Sequence, residues 1–236
     1  LRAMRAVKQA GGLLMVHAEN HAMIENLKRE FITAGNVAPR YHPRSRPAAA
    51  EGEAIERVLA LAEIVGVPVY VVHVSTARGA DAIARARARG QAVLGETCPQ
   101  YLLLTEAEYE RPGFEGAKFV CSPPLRTTQD NTALWSALAR GDLATVGTDH
   151  CPFNYRGQKD LGREQFTGIP GGLPGIEARL ALMYTCGVCA GRLTLNRWVE
   201  VCCAAPARLF GLYPRKGTLM PGADADIVIF DPDKQV

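Results

Sequence analysis

The sequence has 236 residues, 47% hydrophobic and 22% charged, enough for one sizeable core with a small appendage. Its net charge of +3 is spread along the chain. The densest basic run, Arg85-Ala86-Arg87-Ala88-Arg89, reads as the solvated face of a helix, so no nucleic-acid surface is expected. No apolar run reaches the roughly 18 residues of a membrane span, and no secretory leader is visible. Seven scattered cysteines fit a reducing cytoplasm better than a disulfide scaffold.

Residues 13–16 form an apolar strand running into His17, and a helix follows over 22–34. A polar loop spans 39–47, where His42, near Arg44 and Arg46, is expected to face solvent. Ile55, Val58, Leu59 and Ala62 at helical spacing predict a helix over 51–65, stopped by Gly66. Residues 69–72 form a continuous apolar strand leading to His73. The pattern repeats with a helix over 79–89 and a strand over 92–95. After an irregular stretch come a helix over 130–140, stopped by Gly141, and a strand over 143–147 leading to Asp149. Strands apolar on both faces, alternating with helices, indicate a parallel α/β sheet. Four such strands are half of a (β/α)8 TIM barrel, with an open doubly wound sheet as the alternative. No Gly-rich phosphate loop follows any strand.

Residues 193–212 are helical, and 217–231 read as an antiparallel turn-strand-turn-strand piece. The expected organisation is therefore a partial barrel over 1–212 and a separate segment over 213–236. The chain begins at Leu1 inside a helical pattern and stops at Val236 after a strand-like run. Both ends are expected to be cuts in a longer polypeptide.

Three strands end in a metal-competent side chain: His17, His73 and Asp149. In a parallel barrel the C-terminal strand ends share one mouth, which would aim these residues at one place. Two imidazoles and a carboxylate suit Zn²⁺ or a similar divalent ion. Such an ion lowers the pKa of a coordinated water towards about 7, and a neighbouring Asp can shuttle its proton. Taken singly, a strand-end His is more often a satisfied structural residue, and an Asp before a helix is usually a cap. The pattern leaves both readings open. His21 reads as surface or supporting, and His150 as pointing away from Asp149. Cys186-Gly187-Val188-Cys189 and the adjacent Cys202-Cys203 lack the two separated knuckles of a zinc ribbon and are expected to be small buried hydrophobes. No Gly-x-Ser-x-Gly elbow or Walker loop is present.

Five segments in order carry a family resemblance: Val16-His17-Ala18-Glu19-Asn20, Val72-His73-Val74-Ser75, Glu96-Thr97-Cys98-Pro99-Gln100-Tyr101-Leu102, Cys121-Ser122-Pro123-Pro124-Leu125-Arg126 and Thr148-Asp149-His150-Cys151-Pro152-Phe153. With Pro221-Gly222-Ala223-Asp224-Ala225-Asp226 near the end, the chain resembles the hydantoinase/dihydropyrimidinase branch of the metal-dependent cyclic amidohydrolases. The resemblance implies the C-terminal half of a (β/α)8 barrel followed by the start of a small β-sandwich. It also implies a centre of two divalent metal ions, usually zinc, bridged by a carboxylated lysine. His17 and His73 would each bind the second metal, and Asp149 would bind the first and act as general base and acid. Ser122 would contact a small cyclic amide substrate through its backbone. Gly171 would line the same substrate, at a position where many relatives carry Asn. A homotetramer in the cytoplasm is the expected assembly.

The first-strand His-x-His pair, the bridging lysine and an oxyanion-stabilising Tyr of that family fall upstream of a segment like 1–12. Activity is therefore expected only together with such a segment. Allantoinase and dihydroorotase share the centre, but Pro99-Gln100-Tyr101 argues against them, since those branches more often show His after that Pro. A non-catalytic dihydropyrimidinase-like scaffold is the remaining alternative, against which the joint presence of His17, His73 and Asp149 argues.

Overall fold

The computed structural model describes residues 1–234. A four-stranded sheet is built from β1 (Leu14–Val16), β2 (Val69–Val71), β3 (Val93–Thr97) and β4 (Thr145–Val146), in the order β1-β2-β3-β4. Each neighbouring pair is parallel. The strand order never reverses, so the crevice at a switch point that defines an open doubly wound sheet is missing. That alternative is set aside.

Local chemistry sets the helices between the strands. Helix α1 (Arg2–Gln9) precedes β1, and α2 (His21–Thr33) starts where the Asn20 side chain accepts from Met23 N. The segment expected to be an irregular loop contains a short helix, α3 (Tyr41–Arg44). Helix α4 (Ala48–Val65) buries Ala54, Ile55, Leu59 and Ala62 and ends at Gly66, whose φ of 68° favours a residue without Cβ. Helix α5 (Ala77–Ala88) is capped by Thr76. Helix α6 (Pro99–Leu103) begins with Pro at its start, where the missing N–H costs nothing. Helix α7 (Thr128–Arg140) opens with a reciprocal Thr127–Asp130 capping box. Helices α4, α5 and α7 pack side by side behind the sheet. Val69, Tyr70 and Val71 of β2 are all at most 1% exposed, as expected for a strand covered on both faces.

The later helices are less regular. Helix α8 (Arg179–Met183) widens into a π-helical stretch over Tyr184–Cys189. Helix α9 (Leu195–Val199) passes through a second such stretch, Glu200–Ala204, into α10 (Ala205–Leu209). Only Cys202 of the four cysteines here is buried; Cys186 is half-buried, and Cys189 and Cys203 are exposed. Successive helical residues point roughly 100° apart, so burying Cys202 turns the adjacent Cys203 outward.

The tail departs from expectation. Residues 217–231 form no strand, although their sequence alternates like one. Strand pairing needs a neighbour, and the described residues offer none to this segment. Phe230 docks against Tyr184 and Trp198, with ring centroids 4.8 and 5.1 Å apart, while Ile229 remains 95% exposed.

This division of burial predicts a contrast in stability. Leu138→Ala, at a fully buried site of α7, should destabilise the chain by about 2–5 kcal/mol in denaturant unfolding. Ile229→Ser should shift it by no more than about 0.5 kcal/mol. Equal effects of the two changes would contradict this placement of the core.

Candidate functional site

His17 and His73 leave the ends of adjacent strands and meet directly. His17 Nδ1 and His73 Nε2 are 3.0 Å apart, with the rings edge-on. His17 is exposed on its outer side, and its Nε2 lies 3.1 Å from the Glu19 carboxylate. Burial raises the Glu19 pKa, but the hydrogen bond to His17 and the charge of Arg46 outweigh it and leave the carboxyl below its usual range. His73 is 8% exposed, and its Nδ1 is buried without a hydrogen-bond partner. Burial and the neighbouring His17 push its pKa down, against the opposing charge of Asp149, so the ring is held neutral. Neutral imidazole is the metal-ligating form.

Asp149 follows β4 two strands away and is exposed. Among the described residues no three His, Cys, Asp or Glu side chains gather closely enough to hold a metal ion. Two ring nitrogens converging at 3.0 Å fit one part of a divalent centre, and a complete shell requires further ligands.

The backbone marks the same two places. Among the described residues, His73 and Asp149 are the non-glycine residues with positive φ, at 41° and 47°. Such conformations cost about 1–3 kcal/mol each and persist only where the surroundings enforce them. Glu96 on β3, not singled out as a functional residue from the sequence, contacts the backbone at His73 and lies against Gly147, two residues before Asp149. Its Oε1 accepts from His73 N at 3.3 Å, and its Oε2 accepts from Tyr70 Oη at 2.8 Å. Tyr70 Oη also lies 2.6 Å from Thr145 Oγ1 on β4. The same carboxylate fills the space where a Cβ on Gly147 would stand. Glu96 thus wedges the His73 strand end against the Asp149 strand end. Burial raises its pKa more than the hydrogen bonds from Tyr70 and His73 lower it.

Gln100 at the start of α6 donates to Thr148 O at 3.3 Å, directly before Asp149. Glu51 of α4 accepts from Ser75 N and Arg126, and Arg126 also donates to Arg46 O. Burial raises the Glu51 pKa more than Arg126 lowers it. These contacts hold the segment after His73 to the helices behind it.

Ser122 and Gly171 are brought together. A Cβ placed on Gly171 would meet nothing closer than Ser122 Oγ at 3.4 Å, so a side chain fits there. Gly172 N donates to Val120 O at 2.9 Å and joins the two segments into one wall. His21 lies exposed at the start of α2. His150 turns outward, its Nδ1 accepting from Gly175 N and Ile176 N.

His42 corrects an expectation. It is 5% exposed rather than solvent-facing, because its Nε2 donates to Cys121 O at 2.7 Å beside the Ser122 wall. A concavity of about 760 Å³ lies between the later helices and the tail and is lined by none of His17, His73 or Asp149.

Two measurements probe these contacts. Gly147→Ala should destabilise the chain by about 1–3 kcal/mol, because the new methyl meets the Glu96 carboxylate. In an Glu96→Ala background most of that cost should vanish; an unchanged cost would refute the wedge. Burial, with the charge of Arg46, pushes the His42 pKa down from 6.5 to about 3 despite the Cys121 carbonyl. The unfolded chain therefore binds the extra proton between these values, so the His42 contribution is complete above pH 6.5 and drains away as pH falls towards 3. The stability advantage of wild type over His42→Gln should shrink from pH 7 to pH 4, and a constant difference would contradict the buried neutral ring.

With this geometry in place, the chain can be set beside known proteins. The model of the amidohydrolase family matches residues 1–236. A D-hydantoinase of Streptomyces coelicolor is 50% identical over 232 residues, covering 98% of this chain and 50% of that relative. A D-hydantoinase structure from Bacillus sp. AR9 superposes with a TM-score of 0.94 at 50% identity, covering 95% of this chain and 50% of that one. A dihydropyrimidinase structure from Brevibacillus agri gives 0.94 at 48% identity, covering 95% and 49%. The chain spans about half the length of these relatives. With the family model matched from end to end and an α/β parallel sheet of the same kind, the chain belongs to the amidohydrolase family.

Proposed function

We propose that this chain is the C-terminal half of the catalytic unit of a hydantoinase or dihydropyrimidinase, which hydrolyses the amide bond of a small cyclic amide or imide. The observation that carries the reading is the meeting of His17 and His73 at 3.0 Å, beside an Asp149 strand end fixed through Glu96. Residues 1–212 are the second half of a (β/α)8 barrel, and 213–236 begin a β-sandwich whose partner strands lie elsewhere in the longer protein. The names of the similar proteins, D-hydantoinase and dihydropyrimidinase, favour this branch over allantoinase or dihydroorotase.

His17 Nδ1 and His73 Nε2 would hold one divalent ion, with Asp149 on a second, most simply zinc in both places. Bound divalent ions supply Lewis-acid polarisation of the ring carbonyl and an acidified water at neutral pH. Asp149 takes a proton from the attacking water as the new C–O bond forms. It returns that proton to the ring nitrogen as the C–N bond breaks, so a ring amide plus water gives a carboxylate-bearing open chain. Glu96 fixes where Asp149 and His73 stand without itself touching substrate. The backbone of Ser122 and Gly171 orients the ring, and the free space at Gly171 leaves room beside it. The working enzyme is expected to be a cytoplasmic homo-oligomer, tetrameric like its family. Among the described residues no helix is long and apolar enough to cross a membrane.

The test uses a polypeptide carrying this chain together with the half that the relatives add. Asp149→Asn should lower turnover of dihydrouracil or hydantoin by about 10²–10⁴-fold while the circular dichroism spectrum is kept. Near-normal turnover would sink the mechanism. Faster opening of allantoin or dihydroorotate by the wild type would move the assignment to those branches. A wild type with neither bound metal nor hydrolysis would favour a scaffold.

A further inference from the structure

Lys159 is 2% exposed, and among the described residues it has no carboxylate within ion-pair distance. Its ammonium donates instead to two backbone carbonyls, Val120 O at 2.8 Å and Pro170 O at 3.2 Å. Val120 lies two residues before Ser122, and Pro170 lies one residue before Gly171. Val120 O also receives Gly172 N–H, so a single carbonyl carries both the backbone bond and the cation that join the two segments. Lys159 itself stands in a short helical turn, Lys159–Gly162, of the long segment that follows Asp149. One side chain therefore links the segment after the proposed base to both halves of the substrate wall.

A buried lysine is an expensive way to fill space. An apolar side chain of similar volume avoids the desolvation cost, and a lysine with no anion nearby recovers none of it as an ion pair. Burial pushes its pKa down to about 8, opposed by the nearby Cys121 and Cys151 thiols. What an apolar residue cannot do is draw two carbonyl oxygens from different segments towards one point. That is a geometric task, and the two carbonyls belong to the segments that present Ser122 and Gly171.

We infer that Lys159 is the positioning residue for substrate affinity, holding the Ser122 and Gly171 segments at the separation the ring requires. This deepens the function proposed above and rests on it for the identity of the ligand. Lys159 hydrogen-bonds to none of the proposed metal ligands, its ammonium being taken up by the Val120 and Pro170 carbonyls. Its removal should loosen the wall and weaken ring binding, with the chemical step largely preserved.

The experiment compares wild type, Lys159→Met and Lys159→Gln in the same extended polypeptide. It reads amide hydrogen exchange at Gly172 and steady-state kinetics with dihydrouracil. Lys159→Met should exchange Gly172 at least tenfold faster while amides of α7 keep wild-type protection. Its KM should rise at least tenfold with kcat within threefold. Lys159→Gln, which retains a donor for one carbonyl, should fall between the two on both readouts. Wild-type exchange at Gly172 together with wild-type KM in Lys159→Met overturns the inference. Faster exchange throughout α7 with kcat falling and KM unchanged also overturns it, because that is the signature of a merely structural lysine. If wild type opens no ring, the proposed function fails, and Gly172 exchange alone then decides whether Lys159 holds the wall.

Discussion

The Glu96 carboxylate stands between two strand ends, and much of the site geometry follows from that. On one side it accepts the His73 amide; on the other it occupies the place of a Gly147 side chain. Both strands then leave the sheet through left-handed residues, His73 and Asp149. His and Asp enter that conformation more readily than most residues, yet it stays uncommon outside glycine, so the surroundings help to hold it. Tyr70, itself hydrogen-bonded to Thr145, donates to the other carboxylate oxygen, which prevents the wedge from rotating away. Burial and hydrogen bonding thus turn one acidic side chain into a spacer between the proposed metal and proton-transfer groups.

The periphery is fastened by charge in a similar way. Glu19 ties His17 to Arg46, and Arg126 ties Arg46 to Glu51 and Ser75. Buried pairs of this kind add little net stability, yet removing one member leaves a stranded charge. Their contribution is better seen as register: Glu19 joins the segment after β1 to the turn before α4, and Glu51 with Arg126 joins the segment after β2 to α4 itself. Histidines and carboxylates on separate strands can meet only if those segments keep their places.

The sequence made the frame legible where the signal was local. Apolar runs ending at His17, His73 and Asp149 found the strands, and Gly66 and Gly141 marked where helices stop, as their positive φ angles require. The pairing of Ser122 with Gly171 came from resemblance rather than from periodicity. What escaped detection depended on distant contacts. His42 reads as a loop residue until its bond to Cys121 O, 79 positions away, places it inside. Glu96 looks like the polar member of a strand until Gly147 packs against it. Residues 217–231 show strand alternation, but alternation predicts a strand only when a partner is present. Of the late cysteines expected inside, Cys202 is buried, whereas Cys189 and Cys203 are exposed.

Among the described residues β1 and β4 each pair on one side only, and Met15 on β1 is 53% exposed. Two open parallel edges fit the proposed half barrel, and the similar proteins are about twice as long as this chain. The central claim is that His17 and His73 together hold one ion of a two-metal centre completed by the other half. Metal analysis of the extended polypeptide tests it most directly. Wild type should carry two divalent ions per chain, and a His17→Ala/His73→Ala variant that keeps its fold should carry no more than one. An undiminished metal content in that variant would contradict the claim.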